Sequence, residues 1–487
     1  MKRFITTCSA LLCLCLLGSA VWAGWNENGE SRTRLTKDGS GIAGTLPPAD
    51  YKRGALEALP AVPPGPRQFM QVDLLSYDLS NLDLNSRLAD LRLADFDSRT
   101  KWPVDLPAGF DPAAIMEMGK NPGLGVRALH QRGITGKGVS IAIIDQGLLV
   151  DHVEYKDRLR LYEEIHCLDA DAPLHGPAVA SIAVGKTVGV APEADLYYIA
   201  ASPFRDEWVK DHNDPGGEMD YTVTARAIDR ILEINRSLPK EQRIRVISLS
   251  LGWMPGVHGY KEVTEAVERA KQEGVFVLST SLESTHGLRY MGLGRDPQGD
   301  PDKPTSYSTS SWYKTYLDLV AARPMLLVPM DSRTTASPTG PTDYSFYRTA
   351  GMSWAAPYLA GLYALACQVH PDITPQEFWT RALDTADVVE VTDQQMPDPD
   401  GATAKRIAGQ VEGSVANFKR QAQGEELERR FASLYSTFTG VSRERMSEAE
   451  FRTWATDTFT ITSLGDGKKH QLGKIANPTR LLESFQQ

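Results

Sequence analysis

Cysteine is scarce. Of five in 487 residues, Cys8, Cys13 and Cys15 fall near the start, leaving Cys167 and Cys367 for the rest of the chain. That excludes a disulfide framework as the basis of the fold, and the apolar helical setting of Cys367 favours two buried free thiols. Positive charge is short as well: 52 Lys and Arg stand against 62 Asp and Glu, a formal net charge of −10. With no basic patch to offset it, that balance argues against nucleic acid as a partner. After the first 23 residues no apolar run reaches the roughly 20 residues needed to cross a bilayer, so no membrane span is expected once the leader is gone.

What is present is an ordinary globular composition, 41% hydrophobic and 23% charged, on a chain long enough to bury a large core. Residues 1–23 read as a signal peptide. Lys2 and Arg3 form its charged start, 11–17 its apolar run, and Val21-Trp22-Ala23 its cleavage pattern. A signal anchor is the alternative; either way the expected location is secreted or extracytoplasmic. Residues 24–65 are rich in Gly, Pro and charge without periodicity, and read as a mobile leader. Asp78-Leu79, Asp83-Leu84, Asp90-Leu91 and Asp95-Phe96 then suggest a repeat of about five, too short to form a core alone. The whole of 24–120 is expected to be an N-terminal extension that packs on the rest.

From 121 onward helices and strands alternate. Residues 139–144, 195–200, 245–251 and 275–278 are short β-branched, apolar runs of the kind covered on both faces. Between them lie amphipathic stretches, such as 222–235 with Ala225, Ile228, Ile231 and Leu232 on one face. This alternation predicts an α/β fold, a three-layer sandwich with a mainly parallel central sheet. In such sheets sites form beyond the carboxyl ends of strands, and Asp145 stands at one of those ends.

Three short segments carry chemistry. Gly351-Met352-Ser353-Trp354-Ala355-Ala356-Pro357 opens a helix whose small residues allow close approach. Ser353 sits where unpaired N–H groups tolerate a developing negative charge. A serine there is ordinarily just a cap. An Asp at a strand end usually closes a loop, and a His in a Gly-flanked loop is more often surface or core. The three in combination decide otherwise. Val139-Ser140-Ile141-Ala142-Ile143-Ile144-Asp145-Gln146-Gly147 resembles the aspartate motif of the subtilisin-like serine peptidases, the subtilases. His175-Gly176-Pro177-Ala178-Val179-Ala180-Ser181, followed by Gly189-Val190-Ala191-Pro192, is similar to their histidine motif, and 351–361 to their serine motif. The segments occur in the family's order, the resemblance covers roughly 125–390 together with the last dozen residues, and its site lies within a domain spanning 121–487.

The resemblance implies an exported serine endopeptidase with Asp145, His175 and Ser353 as catalytic residues, acting on a peptide or protein substrate without a cofactor. In that scheme His175 takes the Ser353 proton and Asp145 holds the imidazole. His152, His166 and His286 are rivals for the base that lack the helix-opening His-Gly context. Ser250-Leu251-Gly252-Trp253 resembles the family's substrate-binding strand, which pairs with extended peptides; Trp253 replaces a glycine there. The family's oxyanion-hole Asn has no counterpart. Glu283 falls at its position, with Ser281 nearby as a substitute donor. In subtilisin itself, losing that amide lowers kcat about 100- to 1,000-fold. The loss leaves open a second reading, a catalytically weak or silent subtilase acting as a peptide-binding or scaffold protein. The family often binds structural calcium; the acidic loops 296–302 and 398–400 read as turns, and no metal is assigned. The resemblance also implies that 24–105 is a possible pro-segment, although its sequence is unlike the usual one. Residues 390–470 depart from the family as a polar insertion.

Overall fold

The computed structural model describes residues 31–60, 72–204, 219–253, 257–309, 325–392, 423–439, 443–453 and 469–485, together with Val415 and Lys419. The signal segment 1–23, most of the acidic stretch 206–220 and the loop 398–400 lie outside the described residues.

Strand Ser140–Asp145 is buried at every position. Because side chains alternate along a strand, it feeds two cores at once. Ile141 and Ile143 face the helices His175–Val184 and Met352–Val369. Ala142 and Ile144 face Tyr221–Ser237 and Tyr260–Gln272. A layer of helices on each face of one sheet is the three-layer α/β architecture the alternation predicts.

The central sheet runs Arg32–Arg34, Leu159–Cys167, Asp195–Ala201, Ser140–Asp145, Ile244–Leu249, Phe276–Leu278, with Gly41–Ile42 also on Leu159–Cys167. Its last five strands are parallel, and Arg32–Arg34 adds antiparallel at the edge. A five-stranded sheet brings Lys469–Ile475 between Leu326–Pro329 and Asp387–Thr392. The polar insertion therefore leaves and returns through two strands that pair with each other. Asn477 then caps the closing helix Pro478–Glu483 by accepting from the Arg480 N–H.

The expectation of a mobile leader over 24–65 is corrected for its described part, 31–60. Besides the two edge strands, the Ala43 N–H donates to Tyr162 O at 2.8 Å, Ala172 N–H to Pro47 O at 2.9 Å, and Ala49 N–H to Pro338 O at 2.9 Å. Two- and three-residue strands leave no period to read, and their partners lie more than a hundred positions away. Farther on, Ala94–Asp97 pairs with Tyr344–Tyr347, and Phe346 completes a small core with Leu74, Leu79, Leu84 and Phe96. The Asp-Leu run thus packs its leucines against a hairpin of the main domain.

Candidate active site

Asp145 ends its strand at the carboxyl rim of the sheet. Its Oδ1 accepts from the Gln146 N–H at 2.8 Å and from His175 Nδ1 at 2.6 Å. A carboxylate only accepts, so the imidazole proton lies on Nδ1 and leaves Nε2 as the basic nitrogen.

Glycine explains how the histidine gets there. His175 is the first residue of helix His175–Val184, and a Cβ on Gly176 would stand 2.1 Å from Gly147 O and 2.7 Å from the Tyr198 hydroxyl. Only a residue without a side chain lets the helix start settle on the Asp145-Gln146-Gly147 turn. The turn is held from below by Tyr198, whose hydroxyl donates to Gln146 O at 2.6 Å. It is held from the side by Asp169, whose Oδ2 accepts from the Gly147 N–H at 2.9 Å. Burial raises the Asp169 carboxyl to about 6, against the pull of the Gly147 hydrogen bond and the Arg32 guanidinium. Arg32 also donates to Asp169 O, and Leu46 covers Gly147.

Ser353 is the second residue of Met352–Val369, a helix with no side-chain cap. Pro357 lies one turn in and has no N–H, so Ser353 O, its i−4 partner, loses the helical donor. Ser250 supplies the missing bond: its Oγ donates to Ser353 O at 2.8 Å. The Ser353 Oγ in turn donates to Ser250 O at 3.3 Å.

The structure joins Asp145 to His175 directly, and brings His175 edge-on to Trp354, the neighbour of Ser353, with ring centroids 5.5 Å apart. It does not join Ser353 to His175 by a hydrogen bond. His175 Nε2 is buried and has no partner, and the Trp354 indole N–H and the Tyr347 hydroxyl are likewise buried without one. Tyr347 also meets Trp354 edge-on, with ring centroids 5.5 Å apart.

The remaining sequence candidates are committed elsewhere. Ser281 Oγ accepts from the Trp253 N–H and donates to Trp253 O, both at 2.7 Å. Glu283 is ion-paired with Arg289 at 3.2 Å. Of the segment beyond Ser250, Leu251 O accepts from the Thr280 N–H at 3.0 Å and Gly252 O from the Tyr221 hydroxyl at 2.6 Å. Among the rival histidines, His152 uses both ring nitrogens, on Asp343 O and the Glu154 N–H. His166 bonds Ser202 O. Burial drives His286 down to about 4, out of range for a base near neutrality. Among the described residues no group of three or more His, Cys, Asp or Glu is placed to hold a metal ion. Asp296 and Asp300 instead close turns onto the N–H groups of Gln298 and Asp302. Tyr221, Asp169 and the Ser250 clasp carry no local sequence signal, because each acts on a residue at least 22 positions away.

Comparison with known proteins finds relatives of one kind. Subtilisin-like protease PopC of Myxococcus xanthus is 26% identical over 285 residues, covering 52% of this chain and 56% of PopC. Subtilisin NAT of Bacillus subtilis subsp. natto is 26% identical over 267 residues, 53% of this chain and 63% of that protein. The major intracellular serine protease of Bacillus subtilis is 25% identical over 254 residues, 48% of this chain and 70% of that protein. The chain thus spans less than two thirds of the length of the first two. The sequence model of the Subtilase family matches residues 136–410, more than half of the chain and a span that contains the three segments, and the chain belongs to that family.

Proposed function

We propose that this chain is an exported endopeptidase that hydrolyses peptide bonds through Asp145, His175, Ser353 and an acyl-enzyme. The observation that carries the reading is the 2.6 Å bond from His175 Nδ1 to Asp145, with Nε2 left unpaired beside the Ser353-Trp354 turn. Catalytic hydrogen bonds are often long or absent before substrate arrives.

In the forward step Ser353 Oγ leaves Ser250 O, gives its proton to His175 Nε2 and bonds to the scissile carbonyl carbon. His175, now cationic beside Asp145, passes that proton to the departing amine as the C–N bond breaks. Water then repeats the sequence: it gives a proton to Nε2, attacks the acyl carbon, and Ser353 recovers its hydrogen. Negative charge on the tetrahedral oxygen is met by the uncapped helix start at Ser353. Ser281 has already spent its hydroxyl hydrogen on Trp253 O, so it does not replace the missing amide. The expected rate is therefore below that of relatives with an amide in that place.

That same deficit, with Ser353 Oγ turned to Ser250 O, supports the second reading, a silent subtilase that binds peptides. A fluorophosphonate probe separates the two. Labelling that disappears in Ser353→Ala establishes an activated nucleophile. An unlabelled protein that also leaves casein intact counts against the peptidase reading.

A further inference from the structure

The chain that ends strand Ile244–Leu249 beside the serine helix runs on as Ser250-Leu251-Gly252-Trp253, and its hydrogen bonds alternate in direction. Leu251 and Trp253 are bonded to Thr280 and Ser281, continuing the pairing with Phe276–Leu278. Ser250 and Gly252 turn the other way, to Ser353 and Tyr221. In an extended run successive residues present their peptide groups to opposite edges. An added peptide strand therefore has one edge to use, that of Ser250 and Gly252, since the other is already stitched.

Tyr221 stands on that edge. It opens helix Tyr221–Ser237, its N–H donates to His258 O at 3.1 Å, and its ring lies against Trp253 with centroids 6.1 Å apart. Both aromatic rings are buried. The 2.6 Å hydroxyl bond takes Gly252 O, the acceptor a peptide would need after Ser250 O.

We propose that Tyr221 closes the peptide-pairing edge beyond Ser250, so that substrates are recognised by the one or two residues next to the scissile bond and gain nothing from a longer acyl strand. The inference rests on the peptidase reading and narrows it. Short peptides are then handled as well as long unfolded chains, which gain affinity elsewhere by main-chain pairing.

The test is the ratio of kcat/KM for acetyl-tetra-alanine 4-nitroanilide to that for acetyl-alanine 4-nitroanilide, which is internal to each preparation. The expected wild-type ratio is about one. Tyr221→Phe keeps the buried volume but frees Gly252 O, and raises the ratio about 3- to 10-fold, the size of one recovered hydrogen bond. Tyr221→Ala clears the ring too and raises it further. Ser281→Ala, on the opposite edge, leaves the ratio at the wild-type value. A wild-type ratio above about ten overturns the proposal, as does a Tyr221→Phe ratio that does not move or a Ser281→Ala ratio that rises as much. Should Ser353 neither label nor turn over the shortest anilide, it is the peptidase reading that fails. Fluorescence polarisation with fluorescein-tetra-alanine then reads the edge alone: tighter binding to Tyr221→Phe supports the closure, and equal binding overturns it.

Discussion

Ser250 and Ser353 exchange hydrogen bonds, each hydroxyl donating to the other's carbonyl, at 2.8 Å from Ser250 and 3.3 Å from Ser353. The clasp ties the end of a core strand to the first turn of the serine helix. Its cause is Pro357, which leaves Ser353 O without a helical donor in a buried place. Ser250→Ala should therefore cost about 1–3 kcal/mol, the penalty of an unpaired buried carbonyl. In Pro357→Ala the helix regains its own donor, so Ser250→Ala should cost about 1 kcal/mol less in that background. Urea midpoints of the four proteins check this. Equal costs in both backgrounds would separate Ser250 from the proline.

The Asp145–His175 bond gives the second expectation. Asp145→Asn keeps the shape of the side chain but offers the imidazole a neutral amide, which favours the wrong tautomer. The expected loss in kcat is roughly 10,000-fold, the size known for the same change in an unrelated Ser-His-Asp peptidase. Thermal unfolding should move little, so that activity and stability report different things. A variant within tenfold of wild type would remove Asp145 from the mechanism.

Gly176 sets how close His175 comes to that carboxylate. Any Cβ there meets a backbone oxygen at 2.1 Å, and backbone cannot swing aside as a side-chain tip does. Gly176→Ala should cost about 1–3 kcal/mol by overpacking and pull His175 off Asp145. Gly147→Ala meets Leu46 Cδ1 at 2.2 Å, a flexible end, and should be milder. Fluorophosphonate labelling rates should fall in that order, and the reverse order would refute the packing argument.

The pairing of Asp145 with His175 was legible in the sequence, whereas the turn of Ser353 Oγ to Ser250 O was not. Asp145, His175 and Ser353 each sit in a run whose neighbours are small or apolar for packing reasons, and such runs stand out as motifs. The strand over 139–144 was equally plain, because both of its faces are buried in apolar cores. Strand Leu159–Cys167 was not read. It buries Glu163 and Glu164, and their charge hides a strand whose neutralising partners are Arg230, Arg32 and Arg34. Arg333–Ala336 was missed for the same reason, as a polar stretch buried by pairing with Tyr344–Tyr347. Hydrophobic pattern sees burial only when the buried groups are apolar.

Asp169 makes the stability pH-dependent in a stated direction. Its carboxyl is raised by burial from the usual value to about 6, so the folded protein holds the proton more tightly than the unfolded chain. This group's contribution is therefore fullest below about pH 4 and is lost as pH rises to about 6. Asp169→Asn keeps an oxygen for the Gly147 N–H and removes the ionisation. Its unfolding free energy, relative to wild type, should improve from pH 4 to 6 and level off above. A difference that is flat across that window would mean Asp169 ionises as it does in the unfolded chain.

Glu164 tests whether the extension remains part of the folded protein. The carboxylate is fully buried, and its cationic partners are Arg32 at 3.6 Å and Arg34 at 3.7 Å, both from the extension. Tyr162 adds one hydrogen bond at 3.1 Å. A chain beginning at residue 61 keeps the buried charge and loses both cations, at an expected cost of about 3 kcal/mol or more. Glu164→Gln in that shortened chain should recover a good part of the loss, because a neutral amide needs no counter-ion. If 24–105 is instead a segment that the protein sheds, the shortened chain should unfold no earlier than the full one, and mass spectrometry of the purified protein should find its amino-terminus beyond Arg34. An intact Arg32–Arg34 strand on the active protein, with earlier unfolding when it is cut away, makes the extension a lasting edge of the central sheet.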